Sequence, residues 1–288
     1  MLLFTSPSLS SGTMSTGISL TIFSGLEMMK PNARENEMKA YEEMSLHAWP
    51  SLETSRYKGC IYRVSNGYTN RSNSANPLYS QQNDNADLVT YAEMLYKKNN
   101  LPCVFKVLDH EDYKDLDALL AQKQYEKINA SKVMTLASLS EIKSTHCIGD
   151  FENHFTKEWF SAYTKIHRIP EAEVDVAYQI HASIQNTIIA ASIQSNDEIV
   201  ACGFGAVENG YIGLFDIAVN EHMRRKGLGR ALVEGILHKA KESGVKKAYL
   251  QVTDSNEIAK QLYGKIGFTP NYSYWYRRKS LTTLCAEN

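Results

Sequence analysis

The sequence predicts an α/β (α+β) fold in which a mixed sheet is flanked by helices. In residues 187–219, apolar and polar residues alternate in three runs separated by turns at 195–197 and Asn209-Gly210, as in antiparallel strands. Apolar residues then recur at helical spacing over about 228–243 and 255–267. Because an apolar run typical of a strand follows each helix, the C-terminal half is expected to contain three antiparallel strands, then helix, strand, helix and strand.

The N-terminal half is predicted to form a smaller α+β unit. Its expected elements are a helix over 35–48, a hairpin turning at Asn66-Gly67, a helix over 88–98, a strand over 103–109 and a helix over 111–127. A break near residue 130 divides the chain into an accessory domain, 33–130, and a second domain, 131–288. The stretches AEMLYKKNNLP and AKQLYGKIGFTP suggest that the first unit is a degenerate copy of the second, although chance explains their similarity nearly as well.

Residues 1–32 differ from the rest of the chain because they are rich in Ser, Thr and Gly and nearly free of charge. They lack the basic start and unbroken apolar run of a signal peptide, and they are too polar to span a membrane. We expect a disordered N-terminal extension, or a segment that precedes a true start at Met28, Met29 or Met38.

The composition is that of a soluble globular protein, with 43% hydrophobic and 22% charged residues. A net charge of −1 argues against a nucleic-acid binder, which usually carries a basic surplus. The five cysteines are widely spaced and contain no CxxC pair, so neither a disulfide framework nor a zinc site is expected. A reducing cytoplasm fits this cysteine usage best.

The stretch HMRRKGLGRAL, residues 222–232, joins the apolar run YIGLFDIAV to a predicted helix. The first N–H groups of a helix lack internal partners, and glycines let an anion approach them without meeting a Cβ atom. Two nucleotide-binding motifs are not matched here. GxxxxGK[ST] requires a Lys-Ser/Thr pair after its second glycine, and GxGxxG requires a third glycine, neither of which is present. A phosphate or pyrophosphate cradle and a simple helix entry with solvated charge both remain open on these residues alone.

Segment 213–268 resembles the GNAT superfamily of acyl-CoA-dependent N-acyltransferases. Arg224–Gly229 matches the family's [QR]xxGx[GA] phosphate loop, and the strand LFDIAV, the spacing from Asn256 to Leu262-Tyr263 and the ending LYGKIGF follow in the family's order. The sequence of this segment is similar to that of bacterial enzymes that acetylate ribosomal-protein N-termini. The resemblance is strong over about 56 residues, and it implies a GNAT-like mixed sheet in the C-terminal half.

The resemblance also implies which residues hold acyl-CoA. The pyrophosphate is assigned to Arg224, Arg225, Lys226, Gly227, Leu228, Gly229 and Arg230. The pantetheine arm is assigned to the backbone of Ile217, Ala218 and Val219, with an N–H near Val219 for the oxyanion. Asn256 is expected to contact the arm, to cap a helix, or to do both. Tyr263 is assigned as the general acid that protonates the leaving thiolate, the alternative being a packed core tyrosine.

The general base is less well defined by the sequence. Gln251 stands where the ribosomal-protein enzymes carry a glutamate, and a glutamine does not accept a proton usefully. We name Asp216 as the catalytic candidate and Glu208 as a second one. A carboxylate in such a place is more often solvated or structurally paired than catalytic, and water is a further alternative for the base.

These residues predict an N-acyltransferase that moves an acetyl group from acetyl-CoA to a primary amine by direct attack, with no acyl-enzyme and no metal. The acceptor is expected to be a small metabolite, an antibiotic-like polyamine or a peptide terminus, and no nucleic acid or membrane partner is expected. The chain is predicted to be a monomer or homodimer. The alternative function is a non-catalytic acyl-CoA-binding or regulatory module. Polar residues of the N-terminal hairpin are candidates either for an acceptor wall or for ordinary structure: Tyr62, Arg63, Tyr68, Arg71 and Asn73.

Overall fold

The computed structural model of the protein describes residues 33–142 and 148–286, so the expectation for residues 1–32 lies outside the described residues. The described residues form one eleven-stranded sheet in the order β1-β2-β3-β4-β11-β5-β10-β9-β8-β7-β6. Neighbouring strands are antiparallel except for two parallel pairs, β3 with β4 and β9 with β10. This arrangement confirms the predicted mixed sheet with flanking helices.

The N-terminal half contains five strands and three helices among its described residues. The strands are β1 (Glu53–Tyr57), β2 (Cys60–Val64), β3 (Ala75–Asn76), β4 (Cys103–Leu108) and β5 (Glu126–Leu136). The helices are α1 (Ala33–Ala48), α2 (Asn85–Lys98) and α3 (Lys114–Gln122). Helix α2 connects the parallel strands β3 and β4, the same local plan that α6 follows between β9 and β10 in the second half.

The C-terminal half follows the predicted order of elements. Its strands are β6 (Asp150–Glu152), β7 (Thr187–Ser195), β8 (Glu198–Glu208), β9 (Tyr211–Val219), β10 (Lys247–Thr253) and β11 (Thr269–Lys279). Its helices are α4 (Lys157–His167), α5 (Glu171–Ala182), α6 (Leu228–Glu242), α7 (Glu257–Ile266) and α8 (Leu281–Ala286). The antiparallel meander β7-β8-β9 is confirmed, and the short strand β6 precedes helix α4.

Strands from the two halves interleave in the middle of the sheet. Strand β5 lies between β10 and β11, and β11 continues the sheet into the N-terminal half by pairing with β4. The predicted boundary at 130/131 therefore falls inside β5. The division into an accessory and a second domain stays a prediction.

The predicted hairpin turn at Asn66-Gly67 is wrong, because β2 turns instead at Lys58-Gly59 to pair with β1. Lys58 and Gly59 both have positive φ, and a Cβ at Gly59 would collide with the Tyr79 carbonyl oxygen. Asn66 and Gly67 also adopt positive φ, but they open the loop that leads to β3. The pair thus forms the kind of turn that its chemistry favours, without joining two strands.

Helix α1 is fastened to the middle of the sheet by a buried charge pair. Glu42 is fully buried and pairs with Lys106 of β4, while the Tyr272 hydroxyl of β11 donates to Glu42 Oε1 at 2.7 Å. Ser45, one turn later, accepts a hydrogen bond from Gln251 Nε2 of β10 at 3.1 Å. These contacts place α1 and the loop after it against the strands that form the candidate site.

The buried apolar residues form two clusters. Helices α6 and α7 contribute to one cluster, and α1 to α5 contribute to the other. Among the described helices, none combines the length and the apolar character needed to cross a membrane.

We predict that Lys106→Met lowers the free energy of unfolding by about 3–5 kcal/mol, because it leaves the Glu42 carboxylate buried without a counter-charge. The double variant Glu42→Gln/Lys106→Met removes both charges and keeps an acceptor for Tyr272, so it should lose less. Urea unfolding of the three proteins measures both differences. A single variant that is as stable as the double variant would contradict the prediction.

Candidate active site

Strands β9 and β10 pair in parallel only over their first residues and then separate. The paired register runs from Tyr211 with Lys247 to Leu214 with Leu250. Beyond that point each strand keeps its outer neighbour, β9 with β8 as far as Val219 and β10 with β5 as far as Thr253. The inner edges of the two strands therefore diverge and leave a V-shaped opening in the sheet.

A bulge at Asp216 accompanies this divergence. The β8–β9 register shifts between Cys202 and Phe204, and Asp216 has a left-handed φ of 52°. An extra residue in one strand bends that strand and increases its local twist. His167 Nε2 of α4 donates to the Asp216 carbonyl oxygen at 3.2 Å, which holds the bulged peptide in place.

The bulge sets which backbone groups of β9 face the opening. Asn220 N–H donates to the Val200 carbonyl at 2.8 Å, and backbone direction alternates along an antiparallel ladder. Ala218 therefore directs its N–H and C=O toward β8, whereas Ile217 and Val219 direct theirs toward the opening. Arg224 Nε donates to the Val219 carbonyl at 3.3 Å, as expected for a group outside the β8 ladder.

The loop after β9 presents unpaired N–H groups at the start of α6. Gly227 is the N-cap, with a φ of 81°, and its carbonyl accepts the first backward bond of the helix from Ala231 N–H at 3.0 Å. The N–H groups of Leu228, Gly229 and Arg230 precede that bond, so they have no acceptor within the helix. They form the positive end of the helix and suit an anion.

The two loop glycines leave room for such an anion in different ways. A Cβ on Gly227 would meet nothing within 4 Å, but its positive φ would strain any other residue. A Cβ on Gly229 would make ordinary contacts, 3.6 Å from Val219 Cγ2 and 3.7 Å from Leu262 Cδ2. Packing of the free protein thus does not require glycine at 229, and the missing side chain leaves a space bordered by β9, α6 and α7.

Basic side chains of the loop surround this space, with different partners. Lys226 Nζ lies 3.3 Å from Met223 Sδ, and Arg230 Nε donates to Glu234 at 2.8 Å. Arg225 has a left-handed φ of 63° and makes no side-chain hydrogen bond or ion pair with any part of the chain that the structure describes. Strained backbone of this kind concentrates at functional sites. The free N–H groups, the glycine space and the cations together fit a diphosphate.

Tyr263 lies on α7, next to Leu262 at the edge of the same space. Its side chain is largely buried against Phe268, and burial raises the pKa of its hydroxyl to about 12. Within the described chain, its hydroxyl has no hydrogen-bond partner. Tyr263 is therefore a packed residue, as the alternative reading held, and also a protonated phenol free to donate.

Asn256 caps helix α7. Its Oδ1 accepts from Ala259 N–H at 3.1 Å. The side-chain Nδ2 is not used by the cap, so one amide can both start the helix and donate to a ligand.

The Asp216 side chain lies on the face of the sheet opposite helix α6, close to Arg71 and His181. Arg71 Nη1 lies 3.8 Å from Asp216 Oδ1, and His181 Nε2 lies 3.7 Å from Oδ2. Burial raises the pKa of Asp216, but a proton on His181 Nε2 and the charge of Arg71 together lower it more, so that the net pKa lies below its usual value. Arg71 Nη1, His181 Nε2 and Asp216 Oδ2 are buried and lack a hydrogen-bond partner in the described chain.

His181 is the functional candidate that the sequence did not reveal. Its Nδ1 lies 2.7 Å from the Ala177 carbonyl, which can only accept, so Nδ1 carries a proton. A neutral ring then presents the lone pair of Nε2 to the Asp216 carboxylate. Two acceptors that face each other at 3.7 Å repel each other unless one of them carries a proton.

The other sequence candidates have structural partners. Tyr62 Oη donates to the Leu88 carbonyl, Arg63 donates to the carbonyls of Arg71 and Trp49, and Asn73 fastens its own loop. Glu208 contacts His47 and Asn186 at the far end of β9. Gln251 donates to Ser45 and accepts from Tyr274. Tyr68, whose hydroxyl lies 2.7 Å from that of Tyr163, remains beside the Asp216 cluster.

A cleft of about 640 Å³ extends from Arg71 along the face that carries Asp216. Its walls come from the loop after β2, the start of β4, and strands β5, β10 and β11. The polar and aromatic residues that line it include Thr69, Asn70, Arg71, Asn73, Asn129, Ser131, Thr253, Tyr274, Tyr276 and Arg278. Thr253 ends β10, so the cleft borders the opening between β9 and β10.

Comparison with known proteins identifies relatives over most of the chain. Residues 36–277 match the family described as "Probable histone acetyltransferase Rv0428c C-terminal". The chain is 27% identical over 248 residues to "Uncharacterized N-acetyltransferase YobR" of Bacillus subtilis (strain 168), a match that covers 85% of this chain and 99% of that protein.

Two further similarities concern a shorter segment and the fold. The chain is 44% identical over 55 residues to the ribosomal protein bS18 alanine N-acetyltransferase of Escherichia coli (strain K12), covering 19% of this chain and 37% of that enzyme. The structure of a GCN5-related N-acetyltransferase from Kribbella flavida is similar with a TM-score of 0.62 at 12% identity, over 87% of this chain and 96% of that one. The latter shows a shared fold.

We predict that the stabilising effect of the Asp216 charge disappears in acid. Because the folded-state pKa of Asp216 lies below its unfolded value of about 3.9, the charge stabilises the fold above that pH and ceases to do so as pH falls through the folded pKa. Asp216→Asn tolerates the left-handed φ, so wild type should exceed it in unfolding free energy at neutral pH, by an amount that shrinks toward zero in acid. Urea unfolding across this pH range measures the difference. A difference that grows on acidification would contradict the assignment.

Proposed function

Because this chain belongs to the GNAT family of N-acetyltransferases, as the match over residues 36–277 shows, we propose that it transfers an acetyl group from acetyl-CoA to a primary amine by direct attack. The observation that carries this proposal is the opening between β9 and β10. It joins a helix N-terminus with free N–H groups on one face of the sheet to a polar cleft on the other. Donor and acceptor can therefore meet through the sheet.

The diphosphate of the donor binds the N–H groups of Leu228, Gly229 and Arg230, with Arg225 and Lys226 beside it. A helix N-terminus and cations favour such an anion, and glycine at 227 and 229 allows close approach. The pantetheine arm pairs with the backbone of Ile217 and Val219, the two residues that direct their polar groups into the opening. Ala218, between them, keeps β9 attached to β8. Asn256 Nδ2 is available to the arm from α7.

In the transfer step, the amine nitrogen forms a bond to the thioester carbonyl carbon, and the carbon–sulfur bond breaks. Val219 N–H stabilises the oxyanion that develops on the carbonyl oxygen. The amine loses a proton to the pair formed by Asp216 and His181, since an imidazolium at Nε2 is stabilised by the adjacent carboxylate. Tyr263 gives its proton to the departing thiolate and regains one from solvent.

The state of Cys202, a cysteine beside the opening, supports direct attack rather than an acyl-enzyme. Cys202 of β8, which pairs with Ala218 beside the opening, is fully buried, and burial raises the pKa of its thiol to about 12. A thiol held protonated in this way is a poor nucleophile. The reaction therefore needs only the amine as nucleophile.

The alternative of a non-catalytic acyl-CoA-binding module rests on Gln251, which occupies the place of the glutamate in the ribosomal-protein enzymes and is bound to Ser45 and Tyr274. Both functions require the loop to bind acetyl-CoA. They differ in turnover, because only an enzyme releases free CoA thiol when an amine is present. The pair of Asp216 and His181 supplies the proton acceptor that Gln251 does not, and we therefore favour the enzyme.

We predict that Gly227→Asp lowers acetyl-CoA affinity by roughly 10²-fold, because it places a carboxylate where the diphosphate binds. The matched control is Gly210→Asp in the β8–β9 turn. Gly210 has a φ of 79° and equally open surroundings, so both variants carry the same backbone strain. Calorimetric titration measures both affinities. Equal affinities for the two variants would remove the proposed phosphate site.

We predict that Tyr263→Phe lowers turnover by roughly 10²-fold while acetyl-CoA affinity stays close to that of wild type. The phenol is needed only when the thiolate leaves, so the loss should appear in kcat. Tyr178→Phe, at an exposed tyrosine of α5, is the control. Thiol release measured with saturating acetyl-CoA provides the comparison, and an unchanged rate would end the acid role.

A further inference from the structure

We propose that the acceptor is a small amine that also carries an anionic group, a carboxylate or a phosphate. This proposal rests on the proposed acetyl transfer and names the class of molecule that enters the cleft. Its basis is the separation of charge along the cleft. Arg71 and Arg278 line the cleft, and the Asp216 carboxylate lies behind Arg71, 3.8 Å from its Nη1.

The cleft has a positive lining although the chain as a whole is nearly neutral. Arg71 and Arg278 are the charged residues among its lining residues in the part of the chain that the structure describes. The whole chain holds 31 basic and 32 acidic residues, and Asp216 balances Arg71 from outside the lining, so Arg278 is the cation that gives the cleft its positive charge. Such a cleft favours anionic ligands and repels basic ones.

Arg278 is available to a ligand. It is exposed near the end of β11, and it makes no hydrogen bond or ion pair with the described residues. Glu126 stands opposite it in the β5–β11 register without forming an ion pair and does not line the cleft. An unpaired guanidinium on a rigid strand is well suited to bind a carboxylate or phosphate through two parallel hydrogen bonds.

Arg71 connects the positive lining to the amine end. Its guanidinium carbon lies 4.8 Å from the Trp49 ring centre and 5.8 Å from that of Phe215, so aromatic faces fix its position. Asp216 is 3.8 Å away, beyond hydrogen-bond distance, and Nη1 has no partner in the described chain. Arg71 thus retains donors for a ligand anion beside the carboxylate that would receive the amine.

The amine end presents acceptors rather than donors. Asp216 Oδ2 and His181 Nε2 are buried behind the lining residues, lack hydrogen-bond partners and lie 3.7 Å apart, so a proton lost by the amine can be held between them. The neutral lining between the two ends, with Asn129, Ser131 and Thr253, offers hydrogen bonds without charge. A volume of about 640 Å³ is in the range of small-molecule sites.

The experiment compares acceptors that differ only in the anionic group: β-alanine with propylamine, and phosphoethanolamine with ethanolamine. For wild type we expect kcat/KM to be at least about tenfold higher for the anionic member of a pair. Arg278→Gln should lower kcat/KM about tenfold for that member, through KM, and leave the neutral amine unchanged. Arg56→Gln, at an exposed arginine of β1 outside the cleft, should change neither.

A preference for β-alanine over propylamine would identify a carboxylate as the anionic group, and a preference for phosphoethanolamine over ethanolamine would identify a phosphate. A preference for neutral amines, or an equal effect of Arg278→Gln on both members of each pair, would overturn the proposal. Calorimetric binding of the same four compounds to the CoA-loaded protein distinguishes the two levels of inference. Preferred binding of an anionic amine without acetylation would refute the proposed transfer and keep the acceptor class, whereas binding without that preference would refute the class.

Discussion

The separation of β9 from β10 after Leu214 is the constraint on which the rest of the site depends. A sheet that stayed paired to the ends of both strands would leave no polar backbone for a ligand and no passage between its faces. The bulge at Asp216 is the local cause, because a left-handed residue inside a strand changes both the register and the direction of the chain. The same bulge places the Asp216 carboxylate on the face opposite α6.

The two halves of the chain contribute different parts of the site. The glycine loop, the open strand edge and Tyr263 come from the C-terminal half. Arg71 and one wall of the cleft come from the N-terminal half, which is held in place by the interleaving of β5 and β11 and by the buried pair of Glu42 and Lys106. The N-terminal half therefore shapes the acceptor side in our proposal, while the C-terminal half holds the donor.

Features encoded within a few residues could be predicted from the sequence, and features that depend on distant contacts could not. The meander and the loop at Gly227 follow from turn chemistry, alternation and the preferences of helix ends, all of which are local. His181 was missed because one histidine on the buried side of α5 gives no sign that a bulge three elements later in the sequence will face it. The position of β5 between β10 and β11 could likewise not be predicted, because the residue pattern of a strand does not identify the strands with which it pairs. The hairpin turn was misplaced because Asn66-Gly67 and Lys58-Gly59 both suit positive φ, and only the packing of Gly59 against Tyr79 decides between them.

Amide hydrogen exchange with and without CoA tests the central claim most directly, since that claim concerns individual backbone N–H groups. Our account predicts that CoA slows exchange at Val219 in the opening and at Leu228, Gly229 and Arg230 at the start of α6. Ala218, whose N–H faces β8, serves as the internal reference and should change little. Slowed exchange elsewhere, with these amides unaffected, would show that the opening does not bind the donor.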